Sequence, residues 1–186
     1  MLAYVFWHWP QSSVETAIYV AHLEGFHRTL AANAPPGFQR SVVFGIEDAD
    51  WLRTRGPAYE EWYLLDGSAA MDPLNDAAVS GACEAPHNLV AREAADGTGG
   101  LYRLRGGAEV LSDARFAVWL SKPEGVKYRD FYNALASLTS QPNVALWGRQ
   151  MTLGPTTEFC LHSQTPIQLP PGYTGRQLPL TPIIPA

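Results

Sequence analysis

The chain has 186 residues, of which 46% are hydrophobic and 17% charged, and this balance excludes a disordered polypeptide. A formal net charge of −5 gives no general attraction to nucleic acid or anionic lipid, so neither partner is expected. Two cysteines are too few for a disulfide scaffold and lack metal-ligand spacing, which predicts no metal site. No signal-like basic segment opens the sequence, and no apolar run reaches the roughly 20 residues of a membrane span, so we expect a cytoplasmic protein.

The predicted elements alternate between strands and helices. Residues 2–9 are rich in β-branched and aromatic side chains and stop at Pro10, which predicts a strand; both of its faces are apolar, so we expect both to be covered. A helix to about Asn33 follows, then strands over 41–46 and 59–65, helical segments between Pro73 and Ala94, a turn over 96–100 and a strand over 101–105. The order βαββαβ is that of the ferredoxin-like split βαβ unit.

A second copy of this pattern begins near Arg115. The segment 118–123 aligns with 5–10, and each ends in proline. The same register sets 131–135 against 18–22, and shorter loops set 144–148 against 41–45 and 158–161 against 61–64. Matches in the same order along both parts indicate a diverged duplication, and a coincidence of generic strand and helix patterns is the alternative.

The sequence therefore predicts an α+β fold in three parts. A ferredoxin-like βαββαβ half covers residues 1–108, an incomplete βαββ copy covers 109–165, and a proline-rich tail covers 166–186, with the antiparallel sheets packed as an α/β barrel. Six prolines exclude the tail from the centre of a sheet. It is either an extended segment that lies over the first half or over a neighbouring subunit, or a loosely ordered terminus.

The element order, the aromatic first strand and the stretch Glu61-Trp62-Tyr63-Leu64-Leu65-Asp66-Gly67-Ser68 before a helix resemble the dimeric α/β-barrel superfamily. That superfamily includes antibiotic-biosynthesis-type monooxygenases, EthD-like proteins and stress-responsive barrel proteins. The resemblance covers residues 2–105 and, more loosely, 115–163, and it implies ferredoxin-like units packed sheet against sheet with helices outside. Members include cofactor-independent oxygenases, haem-degrading enzymes, lyases and isomerases. No catalytic residue of the family matches this chain position by position.

Two histidines are the candidate catalytic residues. In the repeat register His22 replaces Leu135, and it shares a helix face with Tyr19 and Phe26, so it needs a hydrogen-bond partner or a cavity. It is either a base between helix and sheet or a buried histidine satisfied by a carbonyl or carboxylate. His8 ends the first strand between two tryptophans that could hold a planar ligand, and an exposed strand terminus is the alternative.

Five further side chains are candidate substrate contacts. Trp62, Tyr63 and Arg103 lie on predicted strands that would line a barrel interior, and the alternative is that they fill the core. Trp7 lies beside His8, and Tyr19 lies on the helix face of His22.

The aromatic and histidine residues predict a small-molecule-binding protein that acts on an aromatic or polyketide-like compound and needs no cofactor, and the resemblance implies that it is an oxygenase or isomerase. The alternative is a non-catalytic assembly domain with a packed interior and a tail that mediates dimerisation. The sequence leaves open whether one chain closes the barrel or two chains do so as a homodimer. A cavity of about 300 Å³ or more lined by a histidine would favour ligand binding.

Overall fold

The computed structural model describes residues 1–54 and 56–184, and within them the chain forms a nine-stranded antiparallel sheet and four α-helices. The strands are β1 (Leu2–Pro10), β2 (Phe38–Ile46), β3 (Ala58–Leu65), β4 (Ala94–Gly107), β5 (Phe116–Leu120), β6 (Val144–Arg149), β7 (Phe159–Ser163), β8 (Gly175–Pro179) and β9 (Thr181–Ile184). The helices are α1 (Thr16–Ala32), α2 (Met71–Ala78), α3 (Gly81–Glu93) and α4 (Tyr128–Thr139). The strand order across the sheet is β8-β5-β7-β6-β4-β1-β3-β2-β9.

The predicted turn over residues 96–100 was wrong, because these residues belong to β4 and pair with β1. Gly97 lies beneath the ring of Phe6, and a Cβ at Gly99 would come within 2.8 Å of the Tyr4 hydroxyl oxygen. The glycines therefore leave room for two aromatic side chains of the neighbouring strand. A glycine-rich sequence is typical of a turn, and only the tertiary packing shows that here it belongs to a strand.

Two stretches of the chain share one arrangement of strands. The order β1-β3-β2 in the first stretch is repeated as β5-β7-β6 in the second, with antiparallel pairing in both. The predicted register that matched Val5 with Val118 was off by one residue, since Val5 and Trp7 face one side of the sheet with Trp119, whereas Val118 faces the other. Hydrophobicity alone did not indicate which residues of each strand face which side of the sheet, because both faces of these strands are apolar.

One face of the sheet, the inner face, carries a core that draws on eight of the strands, from β1 to β8. Trp7 on β1 contacts Trp119 on β5 with ring centroids 5.5 Å apart, although three strands lie between β1 and β5 in the sheet order. The sheet therefore curls until its inner face packs on itself. Within the described residues the curled sheet is not closed by strand pairing, because β8 and β9 are its two edges.

The outer face of the sheet is covered by the helices. Helices α1, α2 and α3 pack over β1, β3 and β4, and α4 packs over β5, β6 and β7. Because both faces are covered, all eight residues of β3 and all five residues of β7 are buried. Within residues 1–54 and 56–184, the helices lack the combination of length and apolarity that crossing a bilayer requires.

The proline-rich tail borders the sheet at both edges. Its strand β8 pairs with β5, and after Leu180 its strand β9 pairs with β2 at the opposite edge. The side chains of Leu178 and Leu180 are buried in the inner core. Residues 185 and 186 of the predicted tail lie outside the described residues.

A buried carboxylate lies in the inner core. Glu60 accepts hydrogen bonds from the indole nitrogens of Trp7 and Trp62, both at 2.7 Å. Its Oε1 is 3.9 Å from Nε2 of His162. The indole N–H of Trp119 is also buried, and it has no hydrogen-bond partner among the described residues. The inner core therefore contains tryptophans whose indole groups differ in hydrogen bonding.

Replacing these tryptophans by phenylalanine separates hydrogen bonding from packing, because both substitutions remove the same atoms from fully buried sites. Trp7→Phe leaves Glu60 short of a donor, whereas Trp119→Phe removes an N–H that has no partner. We expect Trp7→Phe to lower the free energy of unfolding by about 1.5–3 kcal/mol more than Trp119→Phe. Urea unfolding followed by circular dichroism measures the difference, and equal losses would contradict a role for the Glu60 hydrogen bond.

Candidate functional site

A cavity of about 680 Å³ lies between the outer face of β1 and β3 and the helices α1, α2 and α3. Exposed residues such as Asn75, Val79 and Asp96 lie on its solvent side. Its other walls are lined by Tyr4, Phe6, His8, Tyr19, Phe26, Glu61, Tyr63, Met71, Leu74, Ala78, His87, Val90, Ala91, Ala94, Ala95 and Gly97. The cavity is thus mainly apolar and aromatic, with a few polar groups at one place, as is typical of small-molecule sites.

Strand alternation places three ring side chains of β1 on the cavity side. Tyr4, Phe6 and His8 point outward, and the centroids of neighbouring rings are 6.3 Å and 5.4 Å apart in stacked arrangements. Gly97 and Gly99 on β4 leave the space that two of these rings occupy. The cavity floor is therefore a row of rings that ends at an imidazole.

Glu61 is the centre of a buried polar network on this floor. Its Oε1 accepts a hydrogen bond from Nε2 of His8 at 2.9 Å and lies 3.3 Å from Nε2 of His27. Its Oε2 accepts a short hydrogen bond from the hydroxyl of Tyr63. One carboxylate thus has two imidazoles and a phenol around it, so its charge is compensated although the residue is buried.

Each imidazole has a hydroxyl group on its other nitrogen. The hydroxyl of Tyr19 is 2.6 Å from Nδ1 of His8, and the hydroxyl of Ser41 is 2.7 Å from Nδ1 of His27. With the Nε2 proton of His8 donated to the carboxylate, the Tyr19 hydroxyl donates to Nδ1. We call these six residues the Glu61 network: His8, Tyr19, His27, Ser41, Glu61 and Tyr63, whose exposed fractions lie between 0 and 9%.

The environment fixes the charges within the Glu61 network. Burial alone would raise the pKa of Glu61, but the adjacent imidazoles of His8 and His27 lower this pKa well below its ordinary value. Burial, and then the charge of Glu61, raises the pKa of Tyr19 and of Tyr63 above their ordinary values. The carboxyl group is therefore ionised at neutral pH, and both phenols keep their protons as donors.

Three of the residues predicted from the sequence meet in this site. His8, Tyr19 and Tyr63 all line the cavity and all belong to the Glu61 network. They lie on the helix side of the sheet, whereas the sequence prediction placed Tyr63 in a barrel interior. The histidine at the end of the first strand is buried, and its partners are side chains.

Four other predicted residues lie elsewhere. His22 is on α1 outside the cavity lining, where Nδ1 is 2.9 Å from a carboxylate oxygen of Glu93 on α3, and the exposed fractions of the two side chains are 32% and 21%. Trp7 and Trp62 are on the inner face, where they donate to Glu60. Arg103 is half-buried and donates from Nε to the side chain of Gln150 at 2.5 Å.

The sequence reasoning missed His27 and the central role of Glu61. Two adjacent carboxylates in an otherwise apolar strand were the available signal, because a strand buried on both faces must supply each of them with partners. His27 was also visible on the buried stripe of α1, four residues after Leu23. The helix buries Leu23, Phe26 and His27, and it leaves His22 half-exposed.

The site offers acid–base chemistry from side chains. In the described ranges 1–54 and 56–184, no three His, Cys, Asp or Glu side chains are grouped so that they could hold a metal ion. A hydroxyl, an imidazole and a carboxylate in series, as in Tyr19, His8 and Glu61, form the arrangement in which the imidazole takes up a proton and the carboxylate stabilises the resulting cation.

Glu61→Gln tests the buried charge. Because the folded-state pKa of Glu61 is below its unfolded value, ionisation stabilises the fold above about pH 4, and this contribution is lost as the pH falls further. We expect the wild-type protein to exceed Glu61→Gln in stability by on the order of 2 kcal/mol at pH 7, with a smaller difference at pH 3. Urea unfolding at a series of pH values measures both, and the exposed Glu124→Gln variant is the control. A difference independent of pH would contradict the compensated buried carboxylate.

Comparison with known proteins identifies the fold. No protein-family model matches the chain, and no curated protein matches it. Among solved structures, a candidate monooxygenase from Fusobacterium nucleatum superposes with a TM-score of 0.63 at 10% sequence identity, and the match covers 98% of this chain and 92% of that one.

Two further structures give similar matches. A candidate monooxygenase from Lactobacillus acidophilus has a TM-score of 0.61 at 10% identity, covering 98% of this chain and 94% of its own. An anthrone oxidase-like protein has a TM-score of 0.56 at 10% identity, covering 98% and 91%. The chain therefore shares the overall fold of two candidate monooxygenases and an anthrone oxidase-like protein.

Proposed function

We propose that this protein binds a planar aromatic or polyketide-like compound in the cavity and acts on it as a cofactor-independent oxygenase. In this proposal Tyr19, His8 and Glu61 remove a proton from the bound compound, and the resulting carbanion reacts with O₂. The observation that carries the proposal is the Glu61 network on the floor of an aromatic cavity of about 680 Å³.

The second set of strands, β5, β6 and β7 with helix α4, supports the view that the Glu61 network serves a function and not the packing of the sheet. When the inward-facing Trp7 and Trp119 are matched, the equivalent outward positions of β5, α4 and β7 are apolar and pack against one another. Such packing covers a sheet without any buried charge, so the fold itself does not require one. The counterparts are Leu120 for His8, Phe131 for Tyr19 and Leu161 for Glu61.

The chemistry follows from the order of the groups. A proton leaving the ligand is taken by the Tyr19 hydroxyl oxygen as Tyr19 passes its own proton to Nδ1 of His8, and the imidazolium is stabilised by the ionised Glu61. Because the pKa of Tyr19 is raised, its hydroxyl relays the proton and does not remain ionised. The surrounding rings exclude water, which strengthens these interactions.

The cavity walls favour a flat, weakly polar ligand. Tyr4 and Phe6 present ring faces or edges to the cavity, and Phe26, Met71 and Leu74 provide the apolar contacts opposite them. Ring pairs prefer offset-stacked or edge-to-face contacts, so a fused aromatic compound fits such walls better than a sugar or a phosphate ester. The inner face offers no comparable alternative in this proposal, because tryptophans fill it.

We also propose that the curled sheet is an α/β barrel made of two ferredoxin-like units that arose by duplication. The repeated strand order, the single inner core and the fold shared with candidate monooxygenases support this interpretation. The two cysteines, which are unpaired and buried, are consistent with a reducing compartment such as the cytoplasm.

Anthrone is the probe substrate, because its oxidation needs the two steps that this site would perform. Loss of a proton from its methylene carbon gives a carbanion, O₂ adds at that carbon, and the peroxide takes a proton back and loses water, so that anthrone and O₂ yield anthraquinone and water. We expect Tyr19→Phe and Glu61→Gln to lower kcat by about 100-fold or more. Oxygen uptake and anthraquinone absorbance, corrected for the uncatalysed reaction, measure the rate.

Two controls match these variants. Tyr59→Phe removes a hydroxyl from a buried tyrosine whose ring stacks on His8 at 5.6 Å, and it should keep kcat within about threefold of the wild-type value. Ala78→Trp fills the cavity and should abolish the thermal stabilisation by anthraquinone, whereas Ala82→Trp outside the cavity lining should retain it. The absence of both thermal stabilisation and oxygen uptake in the wild-type protein would overturn the proposed function.

A further inference from the structure

A second groove of about 340 Å³ lies on the other side of α1, between that helix, β2 and the tail strand β9. His27 and Ser41 line it, and exposed residues such as Arg28, Ala31 and Gln39 lie on its solvent side. The cavity and this groove are separate spaces with different linings. The Glu61 network reaches both, because Glu61 and His8 line the cavity while His27 and Ser41 line the groove.

The contacts of Glu61 are arranged almost symmetrically. From Oε1, one arm runs through His8 to the Tyr19 hydroxyl on the cavity side, and the other runs through His27 to the Ser41 hydroxyl on the groove side. All steps along both arms are between 2.6 and 3.3 Å. A continuous series of proton donors and acceptors thus connects two spaces on opposite sides of a helix.

One contact of this series links the two arms. Nε2 of His27 is buried 3.3 Å from Oε1 of Glu61, and it has no other hydrogen-bond partner among the described residues. An imidazole nitrogen can hold or release a proton, so a nitrogen whose neighbour is a carboxylate oxygen can exchange a proton with that oxygen. This contact is the step through which a proton would pass from Glu61 to the groove side.

We propose that His27 and Ser41 form a proton path that connects the Glu61–His8 pair with water in the second groove. This inference rests on the proposed function, in which a ligand fills the cavity and separates His8 from water on that side. His27 and Ser41 do not contact the ligand; they act through Glu61 as positioning residues of the path.

The transfer balances proton by proton and moves no electrons. His8, protonated at Nδ1 by Tyr19, gives its Nε2 proton to Oε1 of Glu61, and Glu61 gives a proton to Nε2 of His27. His27 gives its Nδ1 proton to the Ser41 oxygen, and Ser41 gives its hydroxyl proton to a water molecule in the groove. The reverse sequence returns a proton to the cavity and restores the original tautomers of both imidazoles.

The test needs no substrate. In protein labelled with ¹⁵N-histidine, NMR measures the rate at which the Nε2 proton of His8 exchanges with water. Ser41→Ala interrupts the path and should slow this exchange by about tenfold or more, whereas Ser41→Thr keeps a hydroxyl and should retain the wild-type rate. Gln39→Ala, on the same groove but outside the path, and Ala78→Trp, which fills the cavity, should leave the rate within about twofold.

Equal exchange rates in wild type, Ser41→Ala and Ser41→Thr would overturn the path, as would slow exchange in Ala78→Trp with normal exchange in Ser41→Ala. If Ser41 only supported the fold, Ser41→Ala would lower stability. The exchange rate of the His8 Nε2 proton would then not depend on whether residue 41 carries a hydroxyl group, as it does in Ser41→Thr. The two failures are distinguishable: a failed path leaves anthraquinone binding and oxygen uptake intact, whereas a failed oxygenase leaves the exchange rates of the ligand-free protein unchanged.

Discussion

The burial of both faces of the sheet is the constraint on which the rest of the structure depends. The inner face packs on itself and the outer face packs under helices, so a polar side chain on β3 reaches no bulk water. Adjacent residues of a strand point to opposite faces, and Glu60 and Glu61 therefore enter two different cores. Each carboxylate must be satisfied where it lies, Glu60 by indole N–H groups and Glu61 by imidazoles and a phenol.

The two carboxylates differ in what surrounds them. Glu60 lies among tightly packed rings of the inner core, where its hydrogen bonds tie β1 to β3. Glu61 lies beside a cavity, and its partner His8, together with the Tyr19 hydroxyl bound to His8, carries protons that can be exchanged. Because β5, β6 and β7 carry only apolar residues in the core under α4, a sheet of this order does not need a buried carboxylate on its outer face. A buried polar network that packing alone does not require is typical of a functional site.

The sequence predicted the strands and helices that position the site, because their apolar patterns and terminal prolines are local signals. It also named His8, Tyr19 and Tyr63 as candidates, although it placed Tyr63 in a barrel interior and not on the helix side of the sheet. It did not place Trp7 and Trp62 correctly relative to the helices, since a strand that is apolar on both faces does not indicate which face is covered by which layer. The choice of His22 over His27 failed for a related reason: both lie near the buried stripe of α1, and only packing against β3 separates them.

The tail strands have a consequence for how copies of this protein meet. β8 and β9 are the outermost strands of the described sheet, and each contains a proline, Pro179 in one and Pro182 in the other. Proline has no amide proton, so neither border offers an unbroken row of donors to a strand from another molecule. Growth of the sheet from chain to chain is thereby hindered at both ends by a single stretch of ten residues, 175–184.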